Sequence, residues 1–285
     1  MSNERKKYLQ NNAFKIWAIF CTSVGIIMLA ILLIKIGMDG LHRISLNFFM
    51  DLPSRRPENA GILTAWVGTL WIMVTTALFA IPIGIGAGIY LEEYVKRGRW
   101  SSFLEINIAN LAGVPSIIYG LLGLELFVRV LHLGQSILAG SLTLALLILP
   151  IVIVSTREAI KTVPNTLREA SYALGASKWQ TIWLQVLPAA SGGIMTGIIL
   201  ALSRAIGETA PLIVVGALMY VPFTPKSVFD SFTVLPIQIY NWVTRPQAGF
   251  LINAAAGIIV LMMITFIMNG AAVYLRNRWQ KNVRW

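Results

Sequence analysis

The chain is poor in charged residues and in the side chains that bind metals or form disulfides. Charged residues make up 12% of its 285 residues, whereas an average soluble domain has about 25%. The single cysteine, Cys21, excludes a disulfide within the chain, and the two histidines, His42 and His132, stand far apart. The sequence contains neither a nucleophile–base pair nor a metal-ligand cluster. These absences disfavour a membrane enzyme and any metal site.

A nucleotide-binding loop is also missing, since the sequence contains no G-x-x-x-x-G-K-[ST] motif. Gly84, Gly86 and Gly88 do not form a dinucleotide loop, because they stand late in an apolar run with no strand before them. The pairs Gly84–Gly88 and Gly193–Gly197 instead predict close helix packing. We therefore expect no cofactor in this chain, and any ATP and Mg²⁺ must be bound by a partner subunit.

Long apolar runs dominate the sequence, which is 56% hydrophobic. Runs of about 20 apolar residues are long enough to cross a bilayer as helices. We predict an all-α membrane protein with a six-span domain over 16–275, a cytoplasmic segment over 1–15 and a cytoplasmic tail over 276–285. The predicted spans are 16–36, 66–90, 104–131, 137–156, 189–219 and 251–275. The first run lacks a small-residue cleavage site, which favours a retained helix over a signal peptide.

Basic residues predict the topology of these spans. Of the 23 Lys and Arg residues, 15 fall on the side that holds both termini and 7 on the other, while Arg204 lies inside the membrane. The excess predicts that both termini lie in the cytoplasm. The net charge of +11 therefore reflects topology and attraction to anionic membrane lipid, and no nucleic acid partner is expected.

A polar insertion, residues 157–188, separates the fourth and fifth predicted spans. Two capping-box patterns, Thr166 to Glu169 and Ser177 to Gln180, flank Gly175. This order predicts a helix, a glycine turn and a second helix, with Pro188 marking the passage into the fifth span.

The role of this helix pair stays open on local physics alone. An apolar stripe on the first helix, formed by Leu167, Ala170 and Leu174, would suit a groove on another protein. Trp179 and Trp183 would equally suit a helix that lies on the lipid surface.

The fifth span contains an arginine and a glutamate, Arg204 and Glu208, four residues apart and so on one helix face. An arginine at bilayer depth costs about 2.5–3.5 kcal/mol on insertion scales, so it should face protein or a water-filled path. Gly207 and Pro211 predict that the helix bends or breaks beside the charges. The pair is either a structural ion pair or part of an anion path.

Two motifs resemble those of a known family. Glu169-Ala170-Ser171, Gly175 and the Leu-Pro at 187–188 resemble the EAA loop of ABC importer permeases, with departures at Ser171 and Gln185. In that family this loop is the coupling helix that fits a cleft of the ATP-binding subunit. The resemblance assigns that role to Glu169, Ala170, Ser171 and Gly175.

The second motif, S-R-A-I-G-E-T-A-P-L over 203–212, is similar to that of phosphate importer permeases of the PstA type. The resemblance implies the type I ABC importer permease fold and a substrate path lined by Ser203, Arg204, Glu208 and Thr209, with the helix break at Gly207 and Pro211. It also implies several partners: phosphate, a PstC-like permease that completes a heterodimer, two ATP-binding subunits and an external phosphate-binding protein.

The resemblance therefore predicts the permease subunit of an ATP-driven phosphate importer, forming half of the pore. The alternative is an ABC permease for another oxyanion or solute. It would have the same coupling loop, but Arg204 would have a different role. A secondary transporter that needs no nucleotide is the remaining alternative, and inverted repeats would favour it, but the sequence shows no internal repeat.

Overall fold

The computed structural model describes residues 3–96, 98–218 and 220–281. Within these ranges the chain is helical and has no strand. Parts of the predicted terminal segments (residues 1, 2 and 282–285), the counted cation Arg97 and the predicted end of the fifth span at Met219 lie outside the described residues.

Twelve α-helices are found in the described residues. They are α1 (Asn3–Gly40), α2 (Leu46–Met50), α3 (Leu63–Ile89), α4 (Arg99–Ala112), α5 (Ser116–Gly123), α6 (Ile137–Lys161), α7 (Asn165–Ala173), α8 (Lys178–Thr181), α9 (Leu187–Ala205), α10 (Ala210–Val215), α11 (Leu235–Val243) and α12 (Gly249–Lys281). Short π-helical turns extend α3 over Tyr90–Tyr94 and α5 over Leu124–Val130, and another joins α8 to α9 over Ile182–Val186.

The number of membrane spans agrees with the prediction. Five helical stretches, Gln10–Arg43, Leu63–Tyr94, Ile137–Lys161, Lys178–Ala205 and Gly249–Arg278, are long and apolar enough to cross a membrane. The pair Arg99–Ala112 and Ser116–Val130 makes a sixth span if it is counted as one. The all-α membrane fold is therefore confirmed.

The third span, predicted as one helix over 104–131, is instead broken: α4 and α5 meet at about 100°. Pro115 lacks an N–H and disfavours the helical conformation at Val114, so the helix ends before it. The hydroxyl group of Tyr119 donates to the carbonyl oxygen of Leu111 at 2.7 Å, which satisfies one carbonyl of the last turn of α4.

The fifth span begins earlier than predicted, because α8 continues through the π-helical turn into α9 and the span starts at Lys178. Pro188 therefore lies inside a continuous helical stretch instead of marking its start. It occupies the first turn of α9 directly after the π-helical turn, whose altered hydrogen-bond register accommodates the missing N–H.

Helix α6 is the centre of the bundle and packs against α3 and α9 through small residues. A methyl group on Gly84 would lie 2.6 Å from Val152, and one on Gly197 would lie 1.9 Å from the hydroxyl oxygen of Ser155. These distances confirm the close helix packing that the glycine pairs predict. Helix α1 is exposed along its spanning part and contacts α12 at its C-terminal end, where Gly40 packs on the α12 backbone.

Candidate functional site

The predicted break in the fifth span is present between α9 and α10. Helix α9 ends at Ala205 and α10 begins at Ala210, with Pro211 in its first turn. The amide of Gly207 donates to the carbonyl of Arg204 at 3.3 Å, and the amide of Glu208 donates to that of Ala205 at 3.2 Å. These i-to-i−3 bonds tighten the end of α9 and leave Gly207 and Glu208 outside regular helix.

Arg204 and Glu208 face each other across this break. The Nε atom of Arg204 lies 3.3 Å from Oε1 of Glu208, and the side chains are 42% and 18% exposed in the single chain. The contact is long, and both partners belong to the same chain segment, so it does not tie α9 to a neighbouring helix. Within the described residues, no other hydrogen bond reaches the Arg204 guanidinium group. Its outer edge can therefore donate two parallel hydrogen bonds to an oxyanion.

Ser203 and Thr209, the two hydroxyl residues predicted beside this pair, make contacts within the protein. The hydroxyl oxygen of Ser203 lies 2.7 Å from the carbonyl oxygen of Ile199 and 2.6 Å from the side-chain oxygen of Asn269 on α12. One hydroxyl proton can serve only one of these oxygens, and both contacts are satisfied if the Asn269 amide is turned over so that its NH₂ group donates to Ser203. Thr209 precedes α10, and its hydroxyl group lies 3.5 Å from the carbonyl oxygen of Gly207. Their place in a substrate path stays a prediction.

The broken third span supports the break in the fifth. A methyl group on Gly120 of α5 would lie 2.7 Å from the Cα atom of Pro211. The second turn of α5 and the first turn of α10 are thus in backbone contact, and each of these helices follows a break. Only glycine permits this approach, so Gly120 fixes the position of the half-helix that follows Glu208.

The polar insertion, residues 157–188, has the predicted order of helix, glycine turn and helix. Gly175 ends α7 in the left-handed conformation, with φ +84°. The hydroxyl oxygens of Ser171 and Thr181 lie 2.9 Å apart, which joins α7 to α8. Glu169 and Ala170 are exposed, and no hydrogen bond or ion pair of Glu169 is found in the described part of the chain.

One of the two predicted capping boxes is present, and the prediction of the other is wrong. Ser177 and Gln180 form reciprocal side-chain and backbone bonds at the start of α8. Helix α7 instead starts at Asn165, after Pro164, with no side-chain cap. The carbonyl oxygen of Pro164 accepts from the amide of Leu167 at 3.2 Å, so the helix has begun before Thr166 could cap it.

The predicted apolar stripe on α7 is split between two environments. Leu167 packs against the bundle core, which corrects its prediction as an exposed residue. Leu174 is 90% exposed at the end of the helix. Of the predicted stripe, Ala170 and Leu174 therefore remain exposed, close to the exposed Glu169. The predicted lipid-facing residues of the second helix, Trp179 and Trp183, are also exposed and stack at 5.6 Å.

Charged residues that the sequence analysis counted only for topology anchor this insertion. Arg168 of α7 binds Oε1 of Glu93 at 2.8 Å through Nη2 and also donates to the carbonyl groups of Ile160 and Val163. Arg157 of α6 bridges two further acidic groups. In the sequence these partners are only residues of opposite charge, 52 to 75 positions apart, and opposite charge alone does not predict a contact.

Other polar side chains make contacts away from the break. Glu125 and Arg129 form an ion pair at 2.9 Å, and both are exposed. Asn269 makes an interhelical hydrogen bond, whereas the side chain of Asn107 donates to the carbonyl of Phe103 within its own helix. In the described residues no group of three or more His, Cys, Asp or Glu side chains could hold a metal ion.

Solved structures resemble this chain in fold. The chain matches a subunit of the inward-facing MetNI methionine ABC transporter with a TM-score of 0.62 at 19% identity, covering 74% of this chain and 93% of that one. It matches a chain of a bacterial ABC transporter that imports the acidic polysaccharide alginate with a TM-score of 0.66 at 14% identity, covering 95% and 99%. These matches confirm the type I ABC importer permease fold.

Sequence comparisons are more specific. The family described as binding-protein-dependent transport system inner membrane component matches residues 80–281. The probable ABC transporter permease protein YqgI of Bacillus subtilis is 31% identical over 260 residues, covering 86% of this chain and 88% of YqgI. Phosphate transport system permease protein PstA 1 of Mycobacterium tuberculosis is 39% identical over 218 residues, covering 75% and 70%. PstA of Haemophilus influenzae is 35% identical over 247 residues, covering 86% of each chain. The chain therefore belongs to the family of binding-protein-dependent transport system inner membrane components, as a relative of the permeases named PstA.

Proposed function

We propose that this chain is the permease subunit of an ATP-driven phosphate importer and supplies half of its translocation path. The observation that carries the proposal is the open guanidinium edge of Arg204 at the break between α9 and α10. Irregular backbone at membrane depth is tolerated where it lines a cavity, and an exposed arginine there needs an anionic or watery surrounding. The relatives named PstA support phosphate as the anion.

Phosphate fits this pair better than a fully ionised oxyanion. Arg204 can donate two hydrogen bonds to phosphate oxygens, because its fork matches their spacing. Phosphate retains a P–OH group at neutral pH, and the carboxylate of Glu208 can accept a hydrogen bond from it. Sulfate has no such proton and would be repelled by the carboxylate. Glu208 thus discriminates between two anions of similar shape, while Ser203 and Thr209 line the same path.

A second permease completes the path. Arg204 is 42% exposed in the single chain, so the site is open on the side away from α9 and α10. We infer a heterodimer with a PstC-like permease that covers this side, both lying in a bacterial inner membrane with both termini in the cytoplasm. An external phosphate-binding protein delivers the substrate, and annular lipid surrounds the pair.

The coupling surface is the exposed side of α7. Glu169 and Ala170 point away from the bundle, while Ser171 and Gly175 hold the helix to α8. We infer that this surface fits one of two ATP-binding subunits. ATP and Mg²⁺ are bound there, and hydrolysis occurs there, so this chain is a transporter subunit without a cofactor of its own.

An ABC permease for another solute is the second candidate. The fold is similar to those of methionine and alginate transporters, in which it serves unrelated substrates. The fold therefore does not by itself select phosphate as the substrate. A carboxylate beside the arginine separates the candidates, since it suits a protonated oxyanion. Competition between labelled phosphate and unlabelled sulfate distinguishes them directly.

The test is ATP-driven uptake of labelled phosphate by proteoliposomes that hold the four-subunit complex and the binding protein. We expect uptake that requires ATP and is not displaced by excess sulfate. Glu169→Lys should lose both the ATP-binding subunit and uptake, whereas Glu158→Lys, a charge reversal at another exposed cytoplasmic glutamate, should retain both. Absence of phosphate uptake by an intact, ATP-hydrolysing complex would contradict the proposal.

A further inference from the structure

Two arginines and three glutamates form a cluster on the cytoplasmic side of the bundle, which we call the cytoplasmic clamp: Glu92, Glu93, Glu105, Arg157 and Arg168. Arg157, in the last turns of α6, lies 3.0 Å from Glu92 through Nε and 2.7 Å from Glu105 through Nη1. Arg157 therefore bridges the π-helical end of α3 and the middle of α4. These two segments are separated in the chain by a short stretch that includes Gly98.

The second arginine attaches the coupling helix to the same end of α3. Arg168 lies 3.1 and 2.8 Å from Oε1 of Glu93 through Nε and Nη2. Its remaining donors are taken by the carbonyl groups of Ile160 and Val163 and by the side chain of Asn165. With every guanidinium nitrogen engaged, Arg168 holds α7 in one orientation relative to α3 and α6.

The two neighbouring glutamates lie in the π-helical turn Tyr90–Tyr94 and serve different partners. Glu92 turns toward α6 and Glu93 toward α7. Lys178 of α8 adds a contact to the carbonyl of Glu93 and lies over the Tyr94 ring at 4.6 Å. Single π-helical turns of this kind are frequent at functional sites.

Two of the three clamp pairs, Arg157–Glu92 and Arg168–Glu93, are more shielded than the other ion pairs in the described residues, whereas the side chain of Glu105 is 48% exposed. Side chains of Arg157, Glu92 and Arg168 are 15% exposed and that of Glu93 is 8% exposed. The pair Glu158–Lys161 on the same turn of α6 is much more open. Shielded pairs that also carry backbone hydrogen bonds hold geometry, whereas exposed pairs contribute little.

Helix α4 has no buried residue, so its position depends strongly on contacts such as those of this cluster. The Glu105–Arg157 pair is its charged link to α6. Beyond the break, α5 packs on Pro211 through Gly120. A series of contacts through α4 and α5 therefore connects the clamp to the helix break beside Arg204.

We propose that the cytoplasmic clamp makes α7, the end of α3 and α4 move as one body, so that displacement of α7 by the ATP-binding subunit reaches the broken spans. Arg157 and Arg168 are positioning residues for coupling and do not touch the substrate. This inference rests on the proposed function of α7 as the coupling helix.

The first experiment measures phosphate moved per ATP hydrolysed in proteoliposomes, with Glu105→Gln and Arg168→Gln beside wild type. We expect retained assembly and ATP hydrolysis and about a tenfold loss of phosphate moved per ATP. Glu158→Gln is the matched control and should keep the wild-type ratio. An unchanged ratio in both clamp variants would overturn the proposal.

The second experiment needs no phosphate, so it separates failure of the clamp from failure of the proposed substrate. Spin labels at exposed positions Ser102 of α4 and Tyr172 of α7, in a Cys21→Ser background, report the distance between the two helices. We expect the same distance distribution without nucleotide and in the vanadate-trapped complex, and a shift on trapping in Glu105→Gln. A shift in the wild-type background would show that α4 and α7 move separately and would refute the clamp.

Discussion

Replacement of Gly120 by alanine tests how the two broken spans support each other. The added methyl carbon would lie 2.7 Å from Cα and 3.0 Å from the carbonyl oxygen of Pro211, and 3.0 Å from Cβ of Val214. Carbon atoms attract best at about 3.5 Å or more, so α5 and α10 must separate by about 0.8 Å. Two of the three contacts are backbone atoms, which cannot turn away as a flexible side chain can.

The expected cost follows from two opposing effects. Overpacking of this kind destabilises by about 1–3 kcal/mol, and the better helix propensity of alanine returns up to about 1 kcal/mol. We therefore expect Gly120→Ala to destabilise the purified complex by about 1–2 kcal/mol. Uptake of phosphate should fall as well, because the separation displaces the half-helix that follows Glu208.

The matched control is Gly86→Ala on α3, since nothing lies within 4 Å of a methyl group at that position. It should keep or slightly raise the thermal transition measured by fluorescence-detected size exclusion. The assay compares the transition temperature and the initial uptake rate of both variants with wild type. Equal behaviour of Gly120→Ala and Gly86→Ala would refute the argument that the α5–α10 contact positions the break.

Three further predictions concern the path, the coupling helix and the loop that holds Asp230. Glu208→Gln should reduce the preference for phosphate over sulfate in competition assays by about tenfold, since a hydrogen bond to a charged group is worth about 1.5–3 kcal/mol; an unchanged preference would remove Glu208 from selectivity. Gly175→Ala places a side chain at φ +84°, which costs about 1–2 kcal/mol, so less ATP-binding subunit should co-purify, whereas Gly175→Asn should be milder; equal yields for wild type and both variants would contradict this. Backbone amides of Lys226 and Ser227 donate to Asp230 and hold the pKa of its carboxyl group below its usual value. A lowered folded-state pKa contributes stability above the unfolded-state pKa that is lost as pH falls through the folded-state value. Hydrogen exchange at 226–230 should therefore accelerate at acid pH in wild type, beyond the intrinsic change, and not in Asp230→Ala; identical pH profiles would contradict the assignment.

The features that the sequence predicted correctly have a local cause. The break in the fifth span follows from Gly207 and Pro211, whose backbone limits act wherever the helix lies. The turn at Gly175 and the cap at Ser177 follow from residues within a few positions of each other. The six spans follow from uninterrupted apolar length, which packing does not alter.

The features that the sequence missed depend on distant contacts. Pro115 disfavours a continuous helix in the third span. The angle of about 100° between its two halves also depends on the packing of Gly120 against Pro211, about 90 residues away in the sequence. The predicted start of α7 was wrong. Thr166 and Glu169 fit a capping pattern, but the helix already begins at Asn165, directly after Pro164. The cytoplasmic clamp joins residues far apart in the chain, and composition cannot pair them.

The most direct measurement of the central claim is the initial rate of ATP-driven phosphate uptake by the reconstituted complex with Arg204→Ala and Arg204→Lys. Arg129→Ala is the matched control, because Arg129 forms the other i,i+4 arginine–glutamate pair and is exposed. We predict that Arg204→Ala assembles, hydrolyses ATP and does not transport phosphate, that Arg204→Lys transports weakly because it cannot donate in parallel, and that Arg129→Ala matches wild type. Normal phosphate uptake by an assembled Arg204→Ala complex would contradict the claim that the break between α9 and α10 carries the anion.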